Sequence, residues 1–201
     1  TYPIILIHGF LGWGRDEMSG YYYWGGKTDL ETQLKSAGYE VYTVSVGPIS
    51  PNWDRAIEAF YQIKGGQVDY GNEKAEKHGI IQKPAGKNYP GFYPQWDAEH
   101  PIHLIGHSQG GSTAKMLEVL LQSSITGENS PLLANIYTGW INSVTTISTP
   151  HNGTTLVPLM LDVFPFALNL APWFGGIENE KIDELYSFDL EHWNLEKRPN
   201  E

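Results

Sequence analysis

An apolar run, Ile102–Ile105, leads directly into Gly106-His107-Ser108-Gln109-Gly110, and a helical pattern begins at once behind it. No other stretch restricts the fold of this chain as strongly. A serine between strand and helix, with glycine two residues to either side, occupies a sharp, strained turn in which flanking side chains would strike the neighbouring elements. The turn lifts the Ser108 hydroxyl to the carboxyl end of a sheet. It also sets the Gln109 amide at a helix N-terminus, where developing negative charge is stabilised. Gly106, His107 and Gly110 form the elbow, with Gly111 behind them. Ser108 is the candidate nucleophile and the Gln109 N–H a candidate oxyanion donor.

The rest of the chain supplies a sheet to carry that turn. Four apolar runs, Ile4–Ile7, Val41–Val46, Ile102–Ile105 and Ile141–Ile147, are rich in Ile, Val or Thr and bounded by Gly, Pro or His. They read as buried parallel strands. Helical patterns lie between them. Thr28-Asp29-Leu30-Glu31 has the form of a capping box, followed by Leu30, Leu34 and Ala37 on one face and Gly38 as the stop. Ser50-Pro51 predicts an N-cap and a first helical proline, with Ala56, Phe60 and Ile63 as the apolar stripe. Gly111–Ser123 carries Ala114, Leu117, Leu120 and Leu121 at helical spacing. Strands alternating with helices predict an α/β fold, a mostly parallel sheet flanked by helices.

Two stretches fit this plan less well. Residues 65–96 are rich in Gly, Lys and aromatics and read as an inserted loop region with one short helix around Asn72–His78. In residues 156–174, 14 of the 19 residues are Leu, Val, Met, Phe, Trp or Ala, which reads either as a pair of core helices or as an apolar cover over a greasy site. Pro158, Asp162, Pro165 and Pro172 interrupt the segment and exclude a transmembrane span.

His8-Gly9-Phe10 follows the first strand, where the Phe10 N–H is placed to be the second oxyanion donor and Gly9 lets the chain turn. A nucleophilic serine also needs a base and an orienting carboxylate. Two histidines follow Ser108 in the chain, His151 and His192. His151 comes directly after a strand but too early to have a strand-borne acid before it. His192, beside Trp193, reads as a surface residue on a helix, and no strand pattern leads into Asp162, Asp183 or Asp189 before it. The motifs therefore give a nucleophile and an oxyanion hole, and leave the base and acid open.

Composition removes several classes. A formal net charge of −10 argues against electrostatic binding to nucleic acid or anionic lipid. With no cysteine, disulfide scaffolds, thiolate zinc sites and thiol catalysis are excluded. The chain opens Thr1-Tyr2-Pro3 without Met, as a processed N-terminus does, and its 201 residues suffice for one domain or most of one.

Several motifs together resemble the bacterial lipases of the staphylococcal and Geobacillus type, within the α/β-hydrolase superfamily. They are His8-Gly9-Phe10 with Gly12-Trp13-Gly14, Tyr23-Trp24-Gly25-Gly26, Asn52-Trp53-Asp54-Arg55-Ala56, Gly65-Gly66 with Val68-Asp69-Tyr70-Gly71, Gly106–Gly111, Thr149–Thr154 and Glu191-His192-Trp193. The resemblance implies an α/β-hydrolase domain, here the N-terminal portion of one, with Ser108 as nucleophile and the Phe10 and Gln109 amides as oxyanion donors. It places Leu156, Phe164, Phe166 and Trp173 in a mobile lid region that meets lipid. It also implies that the catalytic Asp and His, and the calcium ligands, lie beyond the position of Glu201. The family zinc site, in members that have it, would use Asp54 here, but its two histidine positions carry Lys74 and Ile80. Neither is a zinc ligand, so no metal or other cofactor is expected, and a Lys74–Asp54 ion pair is the expected replacement. The implied activity is ester hydrolysis, on triacylglycerol or other carboxylic esters, at an oil–water interface by a secreted enzyme. Two other readings stand beside it: a self-contained small esterase using a histidine within residues 149–201, and a non-catalytic module binding lipid or protein.

Overall fold

A computed structural model describes residues 1–154, 186–187, 189 and 191–193 of the chain. The expected apolar cover, with Leu156, Phe164, Phe166 and Trp173, lies outside the described residues.

Four parallel strands form the main sheet, in the order β2 (Val41–Val44), β1 (Ile4–Ile7), β5 (Ile102–His107), β6 (Ile141–Ile147). In β1, Ile4 lies opposite both Val41 and His103, and Ile7 opposite both Val44 and Gly106. Flanked on both edges by strands, β1 buries Ile5, Leu6 and Ile7. The expectation that all four strands are buried fails at β6, whose residues alternate between half-buried and exposed and end on the exposed Ile147.

Helices α1 (Leu30–Ser36), α2 (Asn52–Lys64) and α4 (Gln109–Leu121) are the principal helices around this sheet. α1 packs on β2, while α4 packs on β1, β5, β6 and α2. Ile57, Phe60 and Ile63 from α2 join Ala114, Leu117 and Leu121 from α4 and Ile5, Ile7, Val44 and Leu104 from the strands in one apolar core. Burying each of these larger side chains contributes about 1.5–3 kcal/mol.

Local details differ from the sequence reading, each for a physical reason. β2 stops at Val44, not Val46, because side chains capture the next two amides: Ser45 N donates to Gln62 Oε1 at 2.8 Å and Val46 N to His8 Nε2 at 3.2 Å. β5 runs two residues further than Ile105, since Gly106 and His107 still pair with Thr146 and Ile147. The cap of α1 is Asp29, which accepts from Thr32 N at 3.1 Å and is paired with Arg15, so Thr28 is not the cap. Ser50 does not cap α2 either. Its hydroxyl is buried with no partner among the described residues, and Pro51 holds the cap position. Nor is α2 a one-stripe helix: every residue from Asp54 to Ile63 is buried, including Asp54, Arg55 and Glu58.

Residues 65–96 hold α3 (Asn72–His78), as expected, and a two-stranded antiparallel ribbon of β3 (Gly66–Gln67) with β4 (Asn88–Tyr89). One further short helix, α5 (Pro131–Ala134), is capped by the Ser130 hydroxyl and follows α4.

Candidate active site

Ser108 stands between β5 and α4 with φ 54° and ψ −124°, a backbone conformation that costs a non-glycine residue roughly 1–3 kcal/mol. Its surroundings hold it there. Ser108 N donates to Ile147 O at 2.8 Å, and its carbonyl accepts from Thr149 Oγ1 at 2.9 Å and from Gly111 N at 3.1 Å. The flanking glycines are required by contact. A Cβ on Gly106 would lie 2.3 Å from the Gly110 backbone, and one on Gly110 would lie 2.1 Å from Ile7 O. The start of α4 is thus pressed against the carboxyl ends of β1 and β5, which brings Ser108 beside the loop that follows β1.

That loop is His8-Gly9-Phe10. A Cβ on Gly9 would come within 2.9 Å of Ser108 Cβ, so the two turns touch. The Phe10 and Gln109 amides donate to no acceptor among the described residues, and both residues are half-buried beside Ser108. The Ser108 hydroxyl also has no hydrogen-bond partner among the described residues, whereas the Gln109 side chain is anchored away by donating to Ser50 O at 3.0 Å.

His8 supports the loop from within the core. Its Nδ1 lies 2.9 Å from Gly9 O, and its Nε2 accepts from Val46 N. Burial, reinforced by the nearby Arg55 cation, pushes its pKa down to about 3, so the ring is neutral. Arg55 is itself fully buried. It donates to His8 O, to Gly47 O at 2.7 Å and to Thr113 Oγ1 at 2.9 Å. One guanidinium therefore ties the loops after β1 and β2 to α4. Nothing in the local spacing around Arg55 announces this role.

Neither downstream histidine reaches Ser108. His151 is exposed, with Nε2 3.0 Å from Thr146 Oγ1. His192 is not the surface residue expected. It sits on a single helical turn, Glu191–Trp193, fully buried, stacked on Tyr70 at 4.4 Å with Nε2 3.2 Å from Asp54 Oδ2.

His192 belongs to a second cluster, built on the buried carboxylates of α2. Asp54 also pairs with Lys74 of α3. Glu58 accepts from Tyr70 Oη at 2.6 Å, Lys87 Nζ at 2.9 Å and Gly47 N at 2.7 Å. Lys87 continues to Asp189 at 2.6 Å. The Asp54 oxygens thus face an ammonium and an imidazole, and Ile80 is buried in the apolar core. Among the described residues no three His, Cys, Asp or Glu are grouped to hold a metal ion.

A parallel sheet that presents a strained serine between strand and helix, against the loop that follows the neighbouring strand, defines an α/β-hydrolase. The chain belongs to the family described as "Lipase-like, C-terminal domain", whose sequence profile matches residues 1–201. It is 40% identical over 215 aligned residues to a lipase of Staphylococcus epidermidis, covering 99% of this chain and 30% of that protein. Its fold matches lipase 1 from Pelosinus fermentans with a TM-score of 0.83 and 41% identity, covering 100% of this chain and 55% of that one. It matches Staphylococcus hyicus lipase with a TM-score of 0.84 and 34% identity, again covering 100% of this chain and 54% of the other. The chain therefore spans under a third of the curated relative and about half of the solved ones.

Proposed function

We propose that this chain carries the nucleophile and oxyanion hole of a serine ester hydrolase acting on lipid esters. The observation that carries the reading is the Ser108 turn: a strained serine held by required glycines beside two amides, with neither its hydroxyl nor those amides engaged among the described residues.

In this reading Ser108 Oγ attacks the ester carbonyl carbon while its proton passes to an imidazole contributed from beyond residue 201. The carbonyl oxygen becomes an oxyanion and accepts from the Phe10 and Gln109 N–H groups, with the N-terminus of α4 behind the second donor. The tetrahedral intermediate collapses, and the alcohol leaves with the proton. Water, activated by the same imidazole, then attacks the acyl-enzyme, releases the carboxylic acid and restores Ser108. A self-contained triad within residues 149–201 is not supported, because His151 and His192 are engaged elsewhere.

The apolar residues of 156–174, Leu156, Phe164, Phe166 and Trp173 among them, suit a cover that exposes hydrocarbon at a lipid surface. Together with the lipase relatives this favours long-chain esters such as triacylglycerol, met outside the cell at an oil–water interface. Among the described residues no helix is long and apolar enough to cross a membrane.

The test is covalent labelling of the intact protein with a fluorophosphonate probe, beside a Ser108→Ala variant. Labelling that the substitution abolishes is the expected result. Equal labelling of both, or none in a folded wild-type protein, overturns the assignment of Ser108. The loss of hydrolysis in the variant is expected to reach roughly a thousandfold or more.

A further inference from the structure

We propose that Tyr23 is a positioning residue that sets the spacing between the oxyanion loop and the nucleophile turn. The proposal rests on the roles assigned above to Ser108, Phe10 and Gln109.

The Tyr23 hydroxyl accepts from Gly9 N at 2.9 Å and lies 2.5 Å from His107 Nδ1. Gly9 immediately precedes Phe10, and His107 immediately precedes Ser108. One hydroxyl thus spans the two turns, one residue before the proposed donor and one residue before the proposed nucleophile. The Gly9 amide can only donate to the phenol oxygen, and the direction of the Tyr23–His107 bond follows the imidazole tautomer. Gly9 N–H, Tyr23 Oη and His107 Nδ1 thus form one continuous chain of hydrogen bonds across the two turns.

Tyr23 is well placed to act as a fixed strut. Its loop is closed by paired bonds, Tyr22 N to Gly26 O at 2.7 Å and Gly26 N to Tyr22 O at 2.9 Å. Gly25, at φ 112°, lies so close to Thr28 O that a Cβ would approach to 2.0 Å. The ring itself is enclosed by Trp13, edge-on at 5.4 Å, and by Trp24, His8 and His107, each at 5.7 Å. Gly9 is also packed against Ser108, which sets how closely the turns approach. Tyr23 sets the outer limit. An oxyanion donor acts only at a fixed distance from the developing charge, and a displacement of about 1 Å costs on the order of a hundredfold.

The experiment compares Tyr23→Phe with wild type in the intact protein, using a short soluble p-nitrophenyl ester. The ring and its packing remain and only the hydroxyl is lost. The expected result is a fall in kcat of about tenfold, a KM within about twofold, and a matching loss of affinity for a boronic acid that mimics the tetrahedral state. A kcat within about twofold of wild type overturns the proposal, as does a loss confined to KM or to melting temperature. His107→Asn, which keeps a hydrogen-bonding group near Nδ1, and His107→Leu, which removes it, give a second measurement if Tyr23→Phe does not fold. The Leu variant is expected to lose about tenfold in kcat and the Asn variant about threefold or less, and equal losses overturn the chain of bonds. Ser108→Ala separates the two levels. If it retains activity, the serine reading fails. If it abolishes activity while Tyr23→Phe matches wild type, the Tyr23 proposal alone fails.

Discussion

The turn at Ser108 and the charged cluster on α2 both join distant parts of the chain, by opposite means. At Ser108 the joining is done by backbone. Gly9, Gly106 and Gly110 let main chain approach main chain, and the hydrogen bonds run largely between peptide groups. On α2 it is done by side chains. Asp54 and Glu58 gather Lys74, His192, Tyr70 and Lys87 from positions 12 to 138 residues away. The first kind of junction accepts almost no change in shape. The second accepts change in shape but almost none in charge, because each buried ion depends on its partners.

The sharpest way to break this contrast is Gly110→Ala. A methyl group 2.1 Å from Ile7 O and 2.6 Å from His8 O has only backbone to push against. Loss of the folded state is expected, at more than about 4 kcal/mol, measured as absence of cooperative unfolding by circular dichroism. If Gly110→Ala folds with near-native stability, the junction is more yielding than its contacts imply. The corresponding change on α2 is Glu58→Gln. Side-chain volume is kept, yet Lys87 loses one of its two carboxylates and the buried Tyr70 and Gly47 bonds lose their charged acceptor. A cost of about 3 kcal/mol is expected in urea unfolding. A neutral result would mean that shape rather than charge holds this cluster as well.

The same contrast explains what the sequence disclosed. The bounds of β1 and β6, the helix at Asn72–His78 and the elbow at Ser108 all rest on local patterns of apolar residues and glycines within a few positions. They were legible for that reason. The charged pair Lys74–Asp54 could be anticipated only because a family resemblance aligned the two positions. Arg55 and His192 lie in motifs shared with that family, but neither these motifs nor the surroundings of Glu58 and Lys87 announce burial. Each is a polar residue whose burial is decided by an element far along the chain, such as Thr113 for Arg55 and Asp189 for Lys87. Even the end of β2 was set remotely, by Gln62 and His8 taking its amides.

The smallest effect separates the two regions by pH. Burial lowers the pKa of His8, beside the serine turn, from 6.5 to about 3, and that of His192, in the α2 cluster, from 6.5 to about 4. Both rings are neutral in the folded protein, whereas in the unfolded chain they take up protons as soon as the pH falls below about 6.5. The unfolded state therefore binds more protons in this window, and stability declines with acidification. The contribution is complete above pH 6.5. It is lost down to about 4 for His192 and about 3 for His8. Each fully buried histidine adds a slope of up to about 1.4 kcal/mol per pH unit inside its window. Asp189, whose carboxyl is pushed up by burial and by Glu58, gains stability on acidification and reduces the slope at the acid end. Urea midpoints of the intact protein are accordingly expected to fall steadily from about pH 6.5 to pH 5. His192→Gln is expected to remove part of that slope and leave the His8 part in place. A profile that stays flat in the wild type would show that neither ring is held neutral. A slope unchanged by His192→Gln would assign all of the acid sensitivity to the serine side, and make the α2 cluster the more tolerant of the two.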